Sequence, residues 1–577
     1  MLQLLRGLKP YLWSVAATLA LVLVQSLAEL GLPTLMAGII DRGVLGKDPS
    51  AVVSGGAWML GIALTGALAS LGAAWVSARL SAGFGRDLRS AVFRNTTGMP
   101  VDSFRSFGAA SLITRTTNDV TQVQTFVVMS LRMLAMAPLM AVGGLIMAFS
   151  LDAGLALVLA VAIPLLVAGI VLLAGRAVKF FQLVQLKIDR LNLVLRESLT
   201  GVRVIRAFDR EQFDAERFRA ANFDLADISL KTQKLMALVM PGMMFVMSLT
   251  TIALVWFGGL RIVGGTLQVG GLMAFLQYST QILFSLMMMS MLFVFLPRAA
   301  VSAGRINQVL ATPEAPGAGE GASSGPDQGT GARIEFRSVT FRYPGAEQPA
   351  LDEVSFAVEA GSVTALIGGT GSGKTTVLQL VARFHDATAG QVLVDGLDVK
   401  QWSRPALRLR LGLSAQKARL FAGSVAENLK WGDPGADPDT LEQALETSQA
   451  KEFVDAMAGG LEGRIDKGGA NLSGGQKQRL AIARVLVRRP AAALFDDSFS
   501  ALDAKTDAAL RAALRRRTDG STVLVVAQRV GTVRDSDKII VLDEGRVAGV
   551  GTHAGLLASC AVYQEIVASQ EGQEAQA

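Results

Sequence analysis

The residues with the clearest chemistry lie at 368–375, which read Gly-Gly-Thr-Gly-Ser-Gly-Lys-Thr and match the phosphate-loop spacing G-x-x-x-x-G-K-[ST]. The apolar run 362–367 predicts a strand before the loop, and 376–383 predicts a helix after it. Backbone N–H groups of such a loop turn towards phosphate oxygens, and the helix N-terminus adds positive potential. Lys374 is expected to reach the β- and γ-phosphates, and the Thr375 hydroxyl to hold Mg²⁺. The pattern predicts a nucleotide site rather than an ordinary glycine-rich turn.

Two further segments combine an apolar run with a polar residue at its end. Residues 491–495 predict a buried strand that ends in Asp496, the usual place for a Mg²⁺-associated carboxylate. Asp497 follows directly, where a general base would polarise water. Residues 411–415 predict another strand ahead of Gln416, whose amide is suited to orienting Mg²⁺ and water. These are the residue types that a magnesium-dependent nucleotide site uses.

A second anion site is predicted at 472–476, Leu-Ser-Gly-Gly-Gln, which opens the predicted helix 477–487. A helix N-terminus preceded by a serine and two glycines suits a γ-phosphate. Tyr343 lies upstream of the phosphate loop, where its ring could stack on adenine; an ordinary surface tyrosine is the alternative. The core strand predicted at 521–527 ends at Gln528.

Composition places this site in a membrane protein. The chain has 577 residues, 51% of them hydrophobic and only 18% charged, with a mean hydropathy of +0.41. It is too long for one domain and too apolar for a wholly soluble protein. The single cysteine, Cys560, and the two histidines, His385 and His553, exclude a disulfide framework and a cysteine or histidine metal site. The net charge of +7 comes from basic residues that cluster between apolar segments, so it indicates membrane topology and not nucleic-acid binding.

Six apolar segments are each long enough for a helix of about 20 residues to cross a bilayer. They lie at 12–39, 53–78, 128–150, 154–175, 235–260 and 268–296. The long intervals 79–127 and 176–234 carry most of the arginine, so we expect them and both termini to be cytoplasmic. The membrane helices are expected to continue into these intervals and to turn near 101–107 and 201–208.

The composition changes after the last apolar segment. We expect a six-helix transmembrane domain at 1–310, a flexible Gly-, Pro-, Ser- and Ala-rich linker at 311–332, and a soluble α/β domain at 333–577. The α/β domain is predicted to begin with two short strands, 334–336 and 339–342.

On these motifs the chain resembles a half-transporter of the ATP-binding cassette (ABC) exporter superfamily, of the multidrug-resistance-like type, in which six membrane helices are fused to one nucleotide-binding domain. Walker A of that family is similar to 368–375, Walker B to 491–496, the signature to 472–476 and the D-loop to 500–503. Segment 197–208 resembles its second coupling-helix region, and 116–119 resembles the segment that follows the first. The resemblance implies that the chain binds ATP through Tyr343, Gly368, Gly369, Thr370, Gly371, Ser372, Gly373, Lys374, Thr375, Thr376, Gln416, Ser473, Gly474, Gly475, Gln476, Asp496 and Asp503, and Mg²⁺ through Thr375, Gln416 and Asp496.

Two positions depart from the family pattern. The catalytic glutamate is Asp497 here, and the switch-loop histidine is Gln528. Aspartate is one methylene shorter, so its carboxylate stands roughly 1 Å further from the attacking water, a displacement that can cost ~10²-fold in rate. Glutamine keeps hydrogen bonds but carries neither a proton nor a positive charge. The predicted ATP site therefore binds well and hydrolyses slowly.

The signature, in contrast, is intact, and in the family it completes the ATP site of a second subunit. The resemblance therefore implies a heterodimer with a second ABC half-transporter whose site keeps glutamate and histidine. The expected function is ATP-driven export of amphipathic small molecules, drugs or lipids across the plasma membrane, or inner membrane, with no nucleic-acid partner. A homodimeric exporter and a siderophore-type importer of the same fold are the alternatives.

Overall fold

A computed structural model describes residues 6–315, 329–517 and 520–574. They form two compact units: one comprises the chain up to Asn95 together with Ala110–Ala311, and the other comprises Thr96–Ala109 together with the chain from Thr312 onwards. Most of the predicted linker, residues 316–328, lies outside the described residues.

The first part of the chain is helical. A 3₁₀ turn, Arg6–Tyr11, precedes the helices, and π-helical turns interrupt them at Ile39–Leu45, Arg115–Asp119 and Ser130–Leu134. The α-helices are α1 (Leu12–Gly38), α2 (Pro49–Gly98), α3 (Val101–Phe107), α4 (Ala109–Thr114), α5 (Val120–Met129), α6 (Ala135–Leu151), α7 (Ala153–Thr200), α8 (Val202–Ala207), α9 (Glu211–Ala237), α10 (Val239–Val263) and α11 (Val269–Leu310).

Six helical segments of the described chain are long and apolar enough to cross a membrane, which confirms the predicted number of spans. Helix α2 has 50 residues, so it extends roughly 75 Å at 1.5 Å per residue. That length exceeds the ~30 Å hydrocarbon core of a bilayer more than twofold. Helix α7 is similarly long, and the short helices α3 and α8 occupy the two predicted turning points.

Hydrogen bonds of polar side chains join α1 to α11 inside the membrane-spanning segments. The Tyr278 hydroxyl, fully buried, donates to the Leu30 carbonyl at 2.7 Å and lies 2.6 Å from the Thr34 hydroxyl. The Gln281 amide donates to the Glu29 carbonyl at 3.3 Å. Because hydrocarbon offers no hydrogen-bond partners, these contacts hold the two helices in one register.

The second unit contains the α/β domain. Its strands are β1 (Ile334–Phe341), β2 (Leu351–Val358), β3 (Val363–Gly368), β4 (Ala389–Val394), β5 (Leu397–Asp398), β6 (Leu411–Ser414), β7 (Gly423–Ser424), β8 (Arg464–Ile465), β9 (Ala492–Asp496), β10 (Thr522–Val526), β11 (Lys538–Asp543) and β12 (Arg546–Gly551). Its helices are α12 (Lys374–Val381), α13 (Arg404–Arg410), α14 (Val425–Leu429), α15 (Pro438–Thr447), α16 (Lys451–Asp455), α17 (Gly474–Val487), α18 (Ala504–Arg517), α19 (Val530–Val533), α20 (His553–Ser559) and α21 (Ala561–Glu574).

A six-stranded sheet in the order β12-β11-β3-β10-β9-β6 forms the centre of this domain, and all its neighbouring strands are parallel except β12. A four-stranded antiparallel sheet, β2-β1-β4-β5, packs its buried face on the same core. The prediction of two strands at 334–336 and 339–342 was wrong. They are one strand, β1, because Ser338 takes a positive φ of 46° and absorbs the shift in pairing register with β2 and β4.

The extended helices generate a test of topology. In a Cys560→Ala background, we expect Ser106→Cys on α3 and Gln212→Cys on α9, both exposed positions, to react with a membrane-impermeant thiol reagent only after lysis. Thr266→Cys, exposed between α10 and α11, is expected to react in intact cells. Labelling of either of the first two positions from outside would overturn the assignment of the arginine-rich intervals to the cytoplasm.

Candidate nucleotide-binding site

The phosphate loop connects the central strand β3 to α12. Gly371 and Gly373 have φ values of 86° and 95°, which only glycine adopts without strain. A Cβ at Gly373 would lie 2.6 Å from the Ala350 carbonyl oxygen, so any side chain there forces the backbone apart. Glycine is therefore required for the backbone N–H groups to turn inward.

The loop also holds the Lys374 side chain. Its ammonium donates to the carbonyls of Gly368 (2.9 Å) and Gly369 (2.6 Å) and to the Ser372 hydroxyl (3.2 Å). Residues 369–371 are exposed at the rim, whereas Ser372 and Lys374 are buried. Burial lowers the pKa of Lys374, and the carboxylates Asp497 and Asp496 oppose that shift. The three hydrogen bonds place the Lys374 ammonium against the loop that is predicted to bind phosphate.

The structure brings Thr375 and Asp496 together, as a shared metal site requires. The Thr375 hydroxyl donates to the Asp496 carboxylate at 3.0 Å, and Asp496 ends the fully buried strand β9. Burial raises the pKa of Asp496, while the bond from Thr375 and the charge of Lys374 lower it. Hydroxyl and carboxylate oxygens are the ligands that Mg²⁺ prefers, so these two residues fit the ion. When bound with nucleotide, Mg²⁺ would neutralise developing phosphate charge.

Asp497, at the position predicted for the base, is held by two glutamines. Its carboxylate accepts the amide of Gln528 at 3.1 Å and the amide of Gln416 at 3.4 Å. Its backbone has a φ of 47°, and its N–H donates to Val526 at 2.9 Å. Burial raises the pKa of Asp497, and the hydrogen bond from Gln416 is the main opposing effect. Gln416, predicted as a metal ligand, therefore lies against the base position with its amide nitrogen.

Tyr343 contacts the phosphate-loop helix, and its predicted stacking on adenine stays a prediction. Its hydroxyl is 3.0 Å from the Thr376 hydroxyl and donates to Gln379 at 3.0 Å. Sequence reasoning missed the residue beside it, His385, whose ring meets the Tyr343 ring edge-on with centroids 5.5 Å apart. The available signal was its rarity, because the chain has only two histidines.

The signature segment forms the N-terminus of α17. The Ser473 side chain accepts the Gln476 N–H at 3.3 Å, and the Gln476 side chain accepts the Ser473 N–H at 2.8 Å, which is a complete capping box. Gly474 and Gly475 begin the helix, and the N–H groups of a first helical turn have no carbonyl partner within the helix, so anion binding at this end stays a prediction.

The D-loop follows Asp497 and packs on the signature helix. The Ala501 N–H donates to Gln478 of α17 at 3.2 Å. Asp503 accepts the Thr506 N–H at 2.9 Å and the Thr506 hydroxyl at 2.8 Å, and these bonds lower its pKa. Asp503 therefore acts as the N-cap of α18, and its predicted contact with nucleotide stays a prediction.

Comparison with known proteins agrees with this architecture. The ABC transporter transmembrane region matches residues 15–287, and the ABC transporter domain matches 351–500. An uncharacterized ABC transporter ATP-binding protein of Mycobacterium tuberculosis (strain H37Rv) is 43% identical over 575 residues, covering 99% of this chain and 98% of that protein. A fatty acid ABC transporter ATP-binding/permease protein of Mycobacterium bovis is 31% identical, covering 83% of this chain and 75% of that protein.

Among solved structures, a bacterial Atm1-family ABC exporter with ATP bound has a TM-score of 0.79 over 96% of this chain and 98% of that one. At 24% identity, this similarity shows the fold. The chain belongs to the ABC transporter family. It is an ABC-type ATPase coupled to transport, with six apolar helices fused to an α/β nucleotide-binding domain of exporter fold.

The contacts of Lys374 generate a prediction for ATP binding. We expect Lys374→Ala to lower the affinity of this chain for ATP, because the buried cation that faces the phosphates is lost. Photolabelling of the purified transporter with an azido-ATP analogue measures this affinity chain by chain. The exposed Lys430→Ala serves as the matched control and should label normally. Equal labelling of both variants would contradict the assignment.

The raised pKa of Asp497 generates a pH-dependent prediction. Burial disfavours the charged carboxylate, so the charge on Asp497 destabilises the folded state. This destabilisation is fully present above the raised pKa and vanishes as the pH falls below the ordinary pKa of aspartate. We expect Asp497→Asn to raise the apparent Tm of the nucleotide-free protein at pH 8, with a gain that shrinks towards pH 4. The exposed Asp439→Asn should show no such pH-dependent gain. A gain that grows on acidification would contradict the assigned shift.

Proposed function

We propose that this chain is one subunit of a heterodimeric ABC exporter and that its own ATP site holds nucleotide without rapid hydrolysis. In this proposal the second subunit carries a glutamate and a histidine at the positions equivalent to Asp497 and Gln528. The signature of this chain then completes the partner's faster site. The cytoplasmic side holds the nucleotide-binding domain and both termini.

The observation that carries the proposal is the environment of Asp497. Its carboxylate is bonded by two amides, Gln528 and Gln416, and amides neither accept a proton from water nor become charged. A base that polarises water works best when its pKa is matched to the pH and its oxygen reaches the water. Here the shorter aspartate side chain is hydrogen-bonded to glutamine amides. This arrangement supports a site that binds ATP and hydrolyses it slowly.

The signature supports the other half of the proposal. Ser473 and Gln476 form a capping box with each other, which fixes the backbone at the N-terminus of α17 and supports a role of this end in binding a phosphate. A preformed anion site costs little reorganisation when charge develops in a transition state. A base position that departs from the family pattern and a signature that keeps it, both in one chain, fit a chain that works with an unlike partner.

For substrate, we propose an amphipathic small molecule or lipid. The fatty acid transporter of Mycobacterium bovis, at 31% identity, is consistent with a cargo that enters from the bilayer. We propose export as the direction of transport because the chain has an exporter fold. The proposed substrates include drugs as well as lipids.

Partner identity can be tested by co-purification. Two copies of the gene, each on its own plasmid and each with a different affinity tag, are expressed in the native host. The native chromosomal genes are expressed alongside them. We expect each tag to capture a second, distinct ABC half-transporter and not the other tagged copy. Recovery of both tags in one complex would favour the homodimer.

The asymmetry of the two half-sites predicts opposite effects on ATPase activity. In the complete transporter, Asp497→Asn should leave most steady-state turnover, because the partner's site performs the chemistry. Ser473→Arg should lower turnover by ~10²–10³-fold, since it removes a preorganised phosphate contact from that site.

A matched control is Ser559→Arg, which introduces the same side chain at an exposed serine of α20 and should leave turnover unchanged. If Asp497→Asn abolishes turnover as completely as Ser473→Arg does, the slow-site proposal is wrong. A symmetric homodimer with an aspartate base then becomes the better account.

A further inference from the structure

The short helix α3 belongs structurally to the nucleotide-binding unit, although the chain enters it from the long helix α2. The unit boundary places Thr96–Ala109 with the α/β domain, and the Ala315 N–H donates to the Gly98 carbonyl at 2.9 Å within it. Asp102 lies in the first turn of α3 with its side chain 31% exposed. Its carboxylate lies 3.1 Å from Nδ1 of His385.

His385 is almost completely buried, and the contact of its Nδ1 with Asp102 is the one polar contact shown for its ring nitrogens among the described residues. Its side chain is 5% exposed, and its Nε2 has no hydrogen-bond partner among the described residues. Burial lowers the pKa of His385, opposed by Asp102 and Asp386, while Arg105 of α3 adds to the lowering. Nδ1 is the nitrogen that donates a hydrogen bond to Asp102, because a proton on Nε2 alone would leave a buried donor without a partner.

The same ring also contacts Tyr343, the residue predicted to stack on adenine. The ring of His385 meets Tyr343 edge-on, with centroids 5.5 Å apart and planes at 82°, and it also contacts the buried Phe341 at 5.3 Å. Tyr343 is in turn fixed by its hydroxyl to Thr376 and Gln379 of the phosphate-loop helix. Through this ring contact the position of Tyr343 bears on the position of the His385 ring.

We propose that His385 is a positioning residue that links occupancy of the adenine site to the position of α3. The link runs from Tyr343 to His385 by ring contact and from His385 to Asp102 by a hydrogen bond. Nucleotide that stacks on Tyr343 fixes the His385 ring and thereby holds Asp102 and α3. The inference rests on the proposed role of Tyr343 in stacking, and it assigns a task to this chain's ATP site that needs no hydrolysis.

The test measures α3 and nucleotide affinity separately. A nitroxide is attached at the exposed Ser106→Cys of α3 in the full-length Cys560→Ala transporter, reconstituted in nanodiscs. Addition of MgATP should change the nitroxide spectrum. The affinity for MgATP is measured on the same samples by displacement of a fluorescent ATP analogue.

Each variant removes one contact of the link. His385→Phe keeps the ring contact but loses the hydrogen bond, Asp102→Ala removes the acceptor, and His385→Asn keeps a donor near Nδ1 but loses the ring. We expect all three to bind MgATP within about twofold of the unmodified protein and to lose the spectral response. The double variant of His385→Phe with Asp102→Ala should lose no more than either alone, because contacts in series are not additive.

The other histidine provides the matched control. Nδ1 of His553 lies 2.8 Å from the Tyr563 hydroxyl, far from α3 in sequence, and His553→Phe should keep the response. Full response in the link variants, or a loss that only follows lost affinity, would overturn the proposal, as would a silent nitroxide in the unmodified protein. Tyr343→Ala separates the two proposals: unchanged ATP affinity in that variant would refute the stacking role itself, irrespective of the link.

Discussion

The parallel register of β3, β10 and β9 is the constraint on which the nucleotide site depends. Leu366 pairs with Val526, and Val526 pairs with Asp496, so all three strands end at one edge of the sheet. That edge gathers the phosphate loop, the two aspartates and Gln528, although they are distant in sequence. Parallel sheets place ligands at the carboxyl ends of their strands for this reason. A shift of one residue in any of these pairings would separate the charged groups.

Within that frame, electrostatics explains the character of the site. Lys374 and the carboxylates of Asp496 and Asp497 are all buried, and each loses hydration that the others only partly replace. Bound nucleotide with Mg²⁺ would supply the missing counter-charges, so the site is built to gain from binding. Under the proposed function, hydrolysis here is slow because the two glutamine amides bond the Asp497 carboxylate that would otherwise face water.

The sequence predicted much of the fold because its signals are local. The six apolar spans, the phosphate loop between a strand and a helix, and the α/β class follow from periodicity and spacing, and the structure confirms them. The pairing of Asp497 with Gln416 was not predictable, because it depends on which strands are neighbours in the sheet. The continuity of β1 was missed since the bulge at Ser338 has no strong local signature. His385 was missed for a similar reason: its two partners come from segments 42 and 283 positions away, a separation that local patterns do not encode.

The central claim is that nucleotide bound by Lys374 and Asp496 outlasts the turnover of the complete transporter. The most direct measurement uses photoreactive ATP that carries a label at either the γ-phosphate or the α-phosphate. The nucleotide is crosslinked to the transporter after one turnover, and the label on each subunit is then identified. The account predicts that this chain retains both labels, as intact ATP, while the second subunit retains the α-label alone, as ADP. Recovery of ADP without γ-label on both subunits would contradict it.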